Sequence, residues 1–317
     1  MKHYFVKWLQ KHSFSIENSY TPKSEPQIVE FGTGTLRSNI RYGETYPNSF
    51  MDIYKGSKDT SRHPVMIYIH GGGFTWGSKE DGDPNAGRQG GDKHWFFKRF
   101  MEAGYDIVSV EYAFAPEYQY PTPVLQLQEA VSFLMKYEEQ YELDTKKIIF
   151  CGSSAGGHIA AQYVAIQNNR EYAREMNIKQ ILREGQIQAL LLNSALIDPT
   201  RYDVVHDAAF DFLLRKCGQA YFGEKVMAVS QGANQANVLS HVTAHYPPTF
   251  ISDANTGSFY DQARDLFTKL RQLGVKAELN IYPREKVKLK HGYESFDDRY
   301  GQDNMRKMLA FLAEAVC

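Results

Sequence analysis

Two short segments of this chain carry residue types at spacings suited to acyl transfer. In KKIIFCGSSAGGHIAAQ, residues 146–162, an apolar run ends at Cys151 and a small-residue helical pattern begins at Ala155, with Gly152-Ser153-Ser154-Ala155-Gly156 across the junction. Glycines two positions either side of Ser154 let the chain reverse sharply without a Cβ collision, which lifts the serine hydroxyl clear of the backbone. The hydroxyl then stands at the amino end of a helix, where the dipole favours developing negative charge. Ser154 is the candidate nucleophile. In YIHGGGFTWGS, residues 68–78, the glycines Gly71, Gly72 and Gly73 leave backbone amides bare toward the cleft. A carbonyl oxygen becoming an oxyanion needs two or three such donors, and the amides of Gly72, Gly73 and Ala155 are the expected set. A phosphate nest is the rival reading, but no Gly-Lys-Ser/Thr follows and no G-x-G-x-x-G opens a helix. His70 reads as an anchor that ties the loop down through its ring.

These segments need a frame. Short β-branched or aromatic runs at 50–54, 65–70, 106–111, 147–151, 187–196, 249–252 and 276–282 read as strands. Helical patterns at 124–137, 155–167, 260–273 and 304–316 fill several gaps. Strands alternating with helices of this length predict an α/β fold, a mostly parallel central sheet with helices on both faces. Ligands in such sheets gather at the carboxyl ends of the strands. Residues 1–47 read as a short amphipathic helix, with Phe5, Trp8, Leu9 and Phe14 near helical spacing, followed by irregular chain packing on the body. Two segments interrupt the rhythm and could roof a pocket: 77–92, read as a mobile surface loop, and 198–248, in which 210–221 looks helical. One domain, 1–317, is expected.

With these pieces in order, the chain resembles the α/β-hydrolase superfamily, and within it the hormone-sensitive-lipase-like carboxylesterases and their bacterial relatives. The resemblance rests on His70-Gly71-Gly72-Gly73-Phe74, on 110–117 (VEYAFAPE), on Gly152-Ser153-Ser154-Ala155-Gly156-Gly157-His158 and on His291-Gly292-Tyr293, and it covers roughly 49–315. It implies that the first stretch forms the oxyanion loop, that Ser154 attacks an acyl carbonyl and that His291 is the base. His291 also follows the last strand pattern and is the last of ten histidines, as the chain order serine, acid, histidine requires. Three departures accompany the resemblance. Ala113-Phe114 stand where the family carries an arginine, Ser153 stands where many members have an acid, and the usual aspartate slot, counted from Pro247-Pro248, falls at Gly257.

A carboxylate is needed to orient the imidazole. Asp253, at the carboxyl end of the 249–252 strand, is the first candidate. Asp198, after the preceding strand, and Asp261, in the first turn of the following helix, are the alternatives; an unfilled slot, a water or Asn255 would be the remaining solution. His158 reads as a packing residue. His241 and His245 lack the H-E-x-x-H glutamate and a third ligand, so no metal site is expected there.

Composition bounds the rest. The 317 residues, 43% apolar and 23% charged, describe a globular chain. With 36 basic and 37 acidic residues the net charge is −1, which predicts no nucleic-acid partner and no stable membrane association. Three cysteines, Cys151, Cys217 and Cys317, show no C-x-x-C spacing, and the amino terminus lacks an uninterrupted apolar stretch; a reducing, cytoplasmic location is expected. The expected activity is serine carboxylic-ester hydrolysis on small soluble esters, with no cofactor, in a pocket shaped by Phe74, Trp76 and aromatics between 202 and 221. A homodimer is left open. The alternatives are an amidase of the same mechanism and a non-catalytic ligand-binding protein with an incomplete triad.

Overall fold

A computed structural model describes residues 3–14, 22, 25–56, 62–82 and 94–316. Among these residues nine strands form one sheet: β1 Ile28–Phe31, β2 Gly34–Arg41, β3 Phe50–Lys55, β4 Pro64–Ile69, β5 Asp106–Val110, β6 Asp144–Ser153, β7 Ile187–Asn193, β8 Thr249–Ser252 and β9 Ala277–Asn280. Their order is β1-β2-β3-β5-β4-β6-β7-β8-β9. β1, β2, β3 and β5 pair antiparallel in succession, and every pairing from β5 through β4 to β9 is parallel. The interior strands are continuous apolar runs because helices cover both of their faces. Val65–Ile69 of β4 is buried throughout.

One face packs against the helices Thr122–Lys136, Ala155–Asn168 and Tyr260–Gln272, through residues such as Val131, Ile159 and Leu266. The other packs against His94–Glu102 and Arg299–Ala315, through Phe97, Phe100, Met308 and Phe311. The helix Ala155–Asn168 is buried from Ala155 to Gln167, which its small residues permit.

Parallel register makes this frame a positioning device. Ile69 of β4 lies opposite Gly152 of β6, Ser153 opposite Asn193, Asn193 opposite Ser252, and Ser252 opposite Asn280. The carboxyl ends of β4, β6, β7, β8 and β9 are therefore level, and the loops that follow them meet at one edge. Those loops begin at His70, Ser154, Ser194, Asp253 and Ile281.

Two expectations are corrected. The stretch after the first helix, read as irregular chain, contains β1 and β2. β1 is an edge strand with only Phe31 buried, so it never needed an apolar sequence and left no clear pattern. The segment 77–92, read as a mobile surface loop, starts inside the protein: Ser78, Lys79 and Glu80 are buried, and a 3-10 turn spans Lys79–Gly82. The Lys79 ammonium donates to Asp52 Oδ1 and Asn39 Oδ1, each at 2.7 Å. Residues 83–93 lie outside the described part. In 198–248 the expected helix is present as Ala208–Phe222, capped by Asp207, whose Oδ1 accepts from Phe210 N at 3.1 Å. Gly223, at φ +73°, closes its other end.

Candidate active site

Ser154 sits between β6 and its helix at φ +54°, ψ −118°, a conformation that costs an ordinary residue about 1–3 kcal/mol. The flanking glycines make it attainable. A Cβ on Gly152 would lie 2.5 Å from Gly156 O, and one on Gly156 would lie 2.2 Å from the carbonyl oxygens of Ile69 and His70. The turn is thus pressed directly onto the end of β4, where the glycine-rich loop starts.

That loop is braced from behind. The two ring nitrogens of His70 face Glu111 Oε1 at 2.8 Å and Gly71 O at 2.7 Å, and its ring stacks on Tyr112 at 4.3 Å. Tyr112 donates its hydroxyl proton toward the carbonyls of His70 and Gly71 at 3.1 and 3.2 Å. Glu111 Oε2 accepts from Lys79 N at 3.0 Å, tying the loop into the buried Lys79–Asp52 pair. Neither role had a local signal: Lys79 directly follows the loop but reads as one lysine in a polar stretch, and Glu111 reaches His70 from 41 residues away.

Gly72 stands at φ +109°, where a Cβ would overlap Trp76 O at 2.0 Å. Among the described residues, the amides of Gly72, Gly73 and Ala155 take no backbone or side-chain acceptor. The glycine loop borders Ser154: an added Cβ on Gly71 would lie 3.3 Å from Ser154 Cβ.

His291 Nε2 lies 3.0 Å from Ser154 Oγ. Its ring is flanked by Phe210 and Phe259, with centroids at 5.1 and 5.5 Å. This burial pushes the imidazole down to about 4, so it stays neutral and able to accept a proton well below pH 6.5.

The far nitrogen has an unexpected partner. His291 Nδ1 is 2.8 Å from Ser258 Oγ, and Ser258 in turn donates to Asp253 Oδ1. The carboxylate expected to touch the imidazole directly is one hydroxyl away from it. Asp253 is fully buried; burial first, and then the neighbouring Glu294 charge, hold its carboxyl well above the ordinary range. Glu294 accepts from Ser194 Oγ at 2.9 and 3.0 Å and from Ser252 Oγ at 3.3 Å. Ser258 and Glu294 escaped sequence reasoning because neither belongs to a motif with fixed spacing.

The alternative acids are engaged elsewhere. Asp198 caps its own turn, accepting from Thr200 N at 3.0 Å and pairing with Arg201 at 2.8 Å. Asp261 is exposed and faces His206 at 3.4 Å. Gly257 is a backbone device, at φ +56°, in the loop that delivers Ser258. Among the described residues Asn255 makes no hydrogen bond to His291. Its side chain donates to the carbonyls of Tyr282 and Val287 and accepts from Leu289 N, stapling the Asp253 loop to the His291 loop.

His158 is buried against Phe74, with Nδ1 on Leu196 O at 3.2 Å, and burial pushes it down to about 4. His241 stacks on Tyr172. Among the described residues no group of three His, Cys, Asp or Glu could hold a metal ion.

The probable carboxylic ester hydrolase LipM of Mycobacterium tuberculosis is 24% identical over 249 residues, 76% of this chain and 54% of LipM. The chain thus spans about half the length of that relative. An acetyl esterase of Salmonella schwarzengrund is 23% identical over 282 residues, 86% of this chain and 77% of its own. Among solved structures, esterase B of Lactobacillus rhamnosis superposes with a TM-score of 0.73 at 16% identity, covering 98% of this chain and 93% of that one. A hyperthermophilic esterase from Pyrobaculum calidifontis gives 0.67 at 23% identity, covering 89% and 86%. At these identities the superpositions establish the shared fold. The family model BD-FAE matches residues 51–270, from β3 through most of the helix that follows β8. The chain belongs to the BD-FAE family, and with it to the α/β-hydrolase superfamily of esterases and their relatives.

Proposed function

We propose that this protein is a serine carboxylic-ester hydrolase of small soluble esters, of the hormone-sensitive-lipase-like type. The observation that carries this reading is the 3.0 Å contact between Ser154 Oγ and His291 Nε2, beside three unengaged amides. His291 takes the Ser154 proton as the oxygen attacks the ester carbonyl; the amides of Gly72, Gly73 and Ala155 hold the oxyanion. The alcohol leaves with the proton returned by His291, and water repeats the cycle on the acyl-enzyme. Asp253 is the acid of the site. The buried thiol of Cys217 suits a reducing, cytoplasmic setting.

A fluorophosphonate probe tests the reading directly. An activated serine is labelled stoichiometrically, and the label maps to Ser154. Labelling no faster than that of an inert surface serine would instead favour a binding protein that has kept the pocket without the chemistry.

The space beside the oxyanion loop favours short acyl groups. A Cβ on Gly73 would meet Cys217 Sγ at 3.1 Å and Tyr202 Oη at 3.4 Å, and Tyr221 stacks on Phe74 at 3.8 Å. Across p-nitrophenyl esters, turnover is expected to peak at about eight acyl carbons or fewer, since a longer chain finds this side filled. A maximum at palmitate with a jump at the micellar threshold would refute the assignment of soluble substrates.

A further inference from the structure

The link between Asp253 and His291 rests on the ester-hydrolase reading and deepens it. Ser258 is buried, and its single hydroxyl lies between a carboxylate oxygen and an imidazole nitrogen. A hydroxyl has one proton to donate and lone pairs to accept with, so it must point its proton to one neighbour and receive from the other. The loop is built to keep it there. Thr256 and Lys290 form a parallel bridge between the two loops, Asn255 staples them, and the left-handed Gly257 turns the chain immediately before Ser258.

We propose that Ser258 is a positioning residue that couples the tautomer of His291 to the charge on Asp253. When Asp253 is a carboxylate, Ser258 donates to it and accepts from His291 Nδ1–H, leaving the Nε2 lone pair facing Ser154. His291 then takes the Ser154 proton at Nε2 while both relay protons stay where they are. When Asp253 is a carboxylic acid, it donates to Ser258, and Ser258 donates to Nδ1. The imidazole proton then sits on Nε2, and the ring has no lone pair for Ser154. The two states differ by one proton taken from solvent onto Asp253 and by the ring tautomer.

The titratable groups facing Asp253 are Glu294 and Tyr293, on the turn that follows His291, and His291 itself through Ser258. Glu294 is buried with Asp253 and hydrogen-bonded by Ser194, which also receives Gly292 N at 3.3 Å. Two carboxyls so placed disfavour a second charge. The relay assigns the acid limb of turnover to Asp253, whose carboxyl is held well above the ordinary range by burial and then by the Glu294 charge. Activity falls as pH falls through the raised Asp253 titration, and removing the Glu294 charge moves that limb downward.

The experiment measures kcat and KM for p-nitrophenyl butyrate from pH 4 to 9, with a thermal melt for each variant. Ser258→Ala is expected to lower kcat by roughly 10²–10³ with KM changed less than about threefold, and Ser258→Thr to recover to within about tenfold of wild type. Ser258→Ala combined with Asp253→Asn should lose no more than Asp253→Asn alone, since both act through one chain of hydrogen bonds. Glu294→Gln should shift the acid limb down by about one pH unit. In ¹⁵N-histidine NMR the wild-type His291 proton is expected on Nδ1, and Ser258→Ala should lose that preference. More than half of wild-type kcat in Ser258→Ala, additive losses in the double variant, or an acid limb unmoved by Glu294→Gln would each overturn the proposal. Should Ser258→Ala not fold, Ser258→Thr and Glu294→Gln decide. If wild type neither turns over ester nor reacts with fluorophosphonate, the ester-hydrolase reading has failed, and the His291 tautomer still tests the relay separately.

Discussion

Ester turnover is expected to fall by roughly 10⁴ or more in Ser154→Ala, with the melting temperature almost unchanged. The activity loss follows because, among the described residues, no other hydroxyl is hydrogen-bonded to His291 Nε2 at the tip of the turn. The stability term is small because alanine keeps the Cβ and so keeps the strain at φ +54°. Ser154→Gly separates the two effects. It should be equally inactive and more stable by about 1 kcal/mol, since glycine adopts positive φ freely. Hydrolysis of p-nitrophenyl butyrate beside a thermal melt checks both. Retention of more than a tenth of wild-type turnover by the alanine variant would remove Ser154 from the role of nucleophile.

The largest loss of stability is expected at a position that never meets substrate. Lys79→Met keeps the length and apolar stem of the side chain but deletes an ammonium that is wholly buried against Asp52 and Asn39. Breaking a buried pair strands the remaining charge, at a cost of about 3–5 kcal/mol. That is a large share of the roughly 5–15 kcal/mol by which a domain is stable. Burial already pushes Asp52 up to about 6 with Lys79 beside it. A folded-state pKa above the unfolded value contributes stability that is complete below the unfolded carboxyl range and lost as pH rises through the folded value. The deficit of the variant should therefore be greater at pH 8 than at pH 5. Urea unfolding at the two pH values measures it, and Lys79→Met with Asp52→Asn should recover part of the loss by removing the stranded charge. A deficit below about 1 kcal/mol at pH 8 would show that the pair does not hold this region. The backbone amide of residue 79, which the substitution keeps, donates to Glu111, which holds His70; a shift of this segment around the lost ammonium should therefore also slow turnover.

What could be read from the sequence alone was local. The glycines around Ser154 and the run Gly71 to Gly73 are legible because a reversal that brings backbone onto backbone excludes every side chain; on Gly156 a Cβ would reach within 2.2 Å of a carbonyl oxygen. The central strands are legible for a similar reason, since burial on both faces leaves an unbroken apolar run such as that of Val65–Ile69. β1 and β2 were not legible: β1 is an edge strand with only Phe31 buried, and β2 buries the polar Ser38 and Asn39, so neither leaves an apolar pattern that separates it from irregular chain. The buried Lys79 was misread because composition sees only a lysine in a polar stretch, while its counter-charge, Asp52, comes from a strand 27 residues away. The partner of His291 was the least legible of all. A hydrogen bond of 2.8 Å depends on where two loops after β8 and β9 are stapled, and the aligned strand ends bring Ser258 to a histidine 33 residues further along the chain. Residue type and spacing determined which groups could react, because those constraints act within one turn of chain. Which group stands behind the base was decided by tertiary structure, because hydrogen bonding is set by distance in space and sequence separation does not encode it.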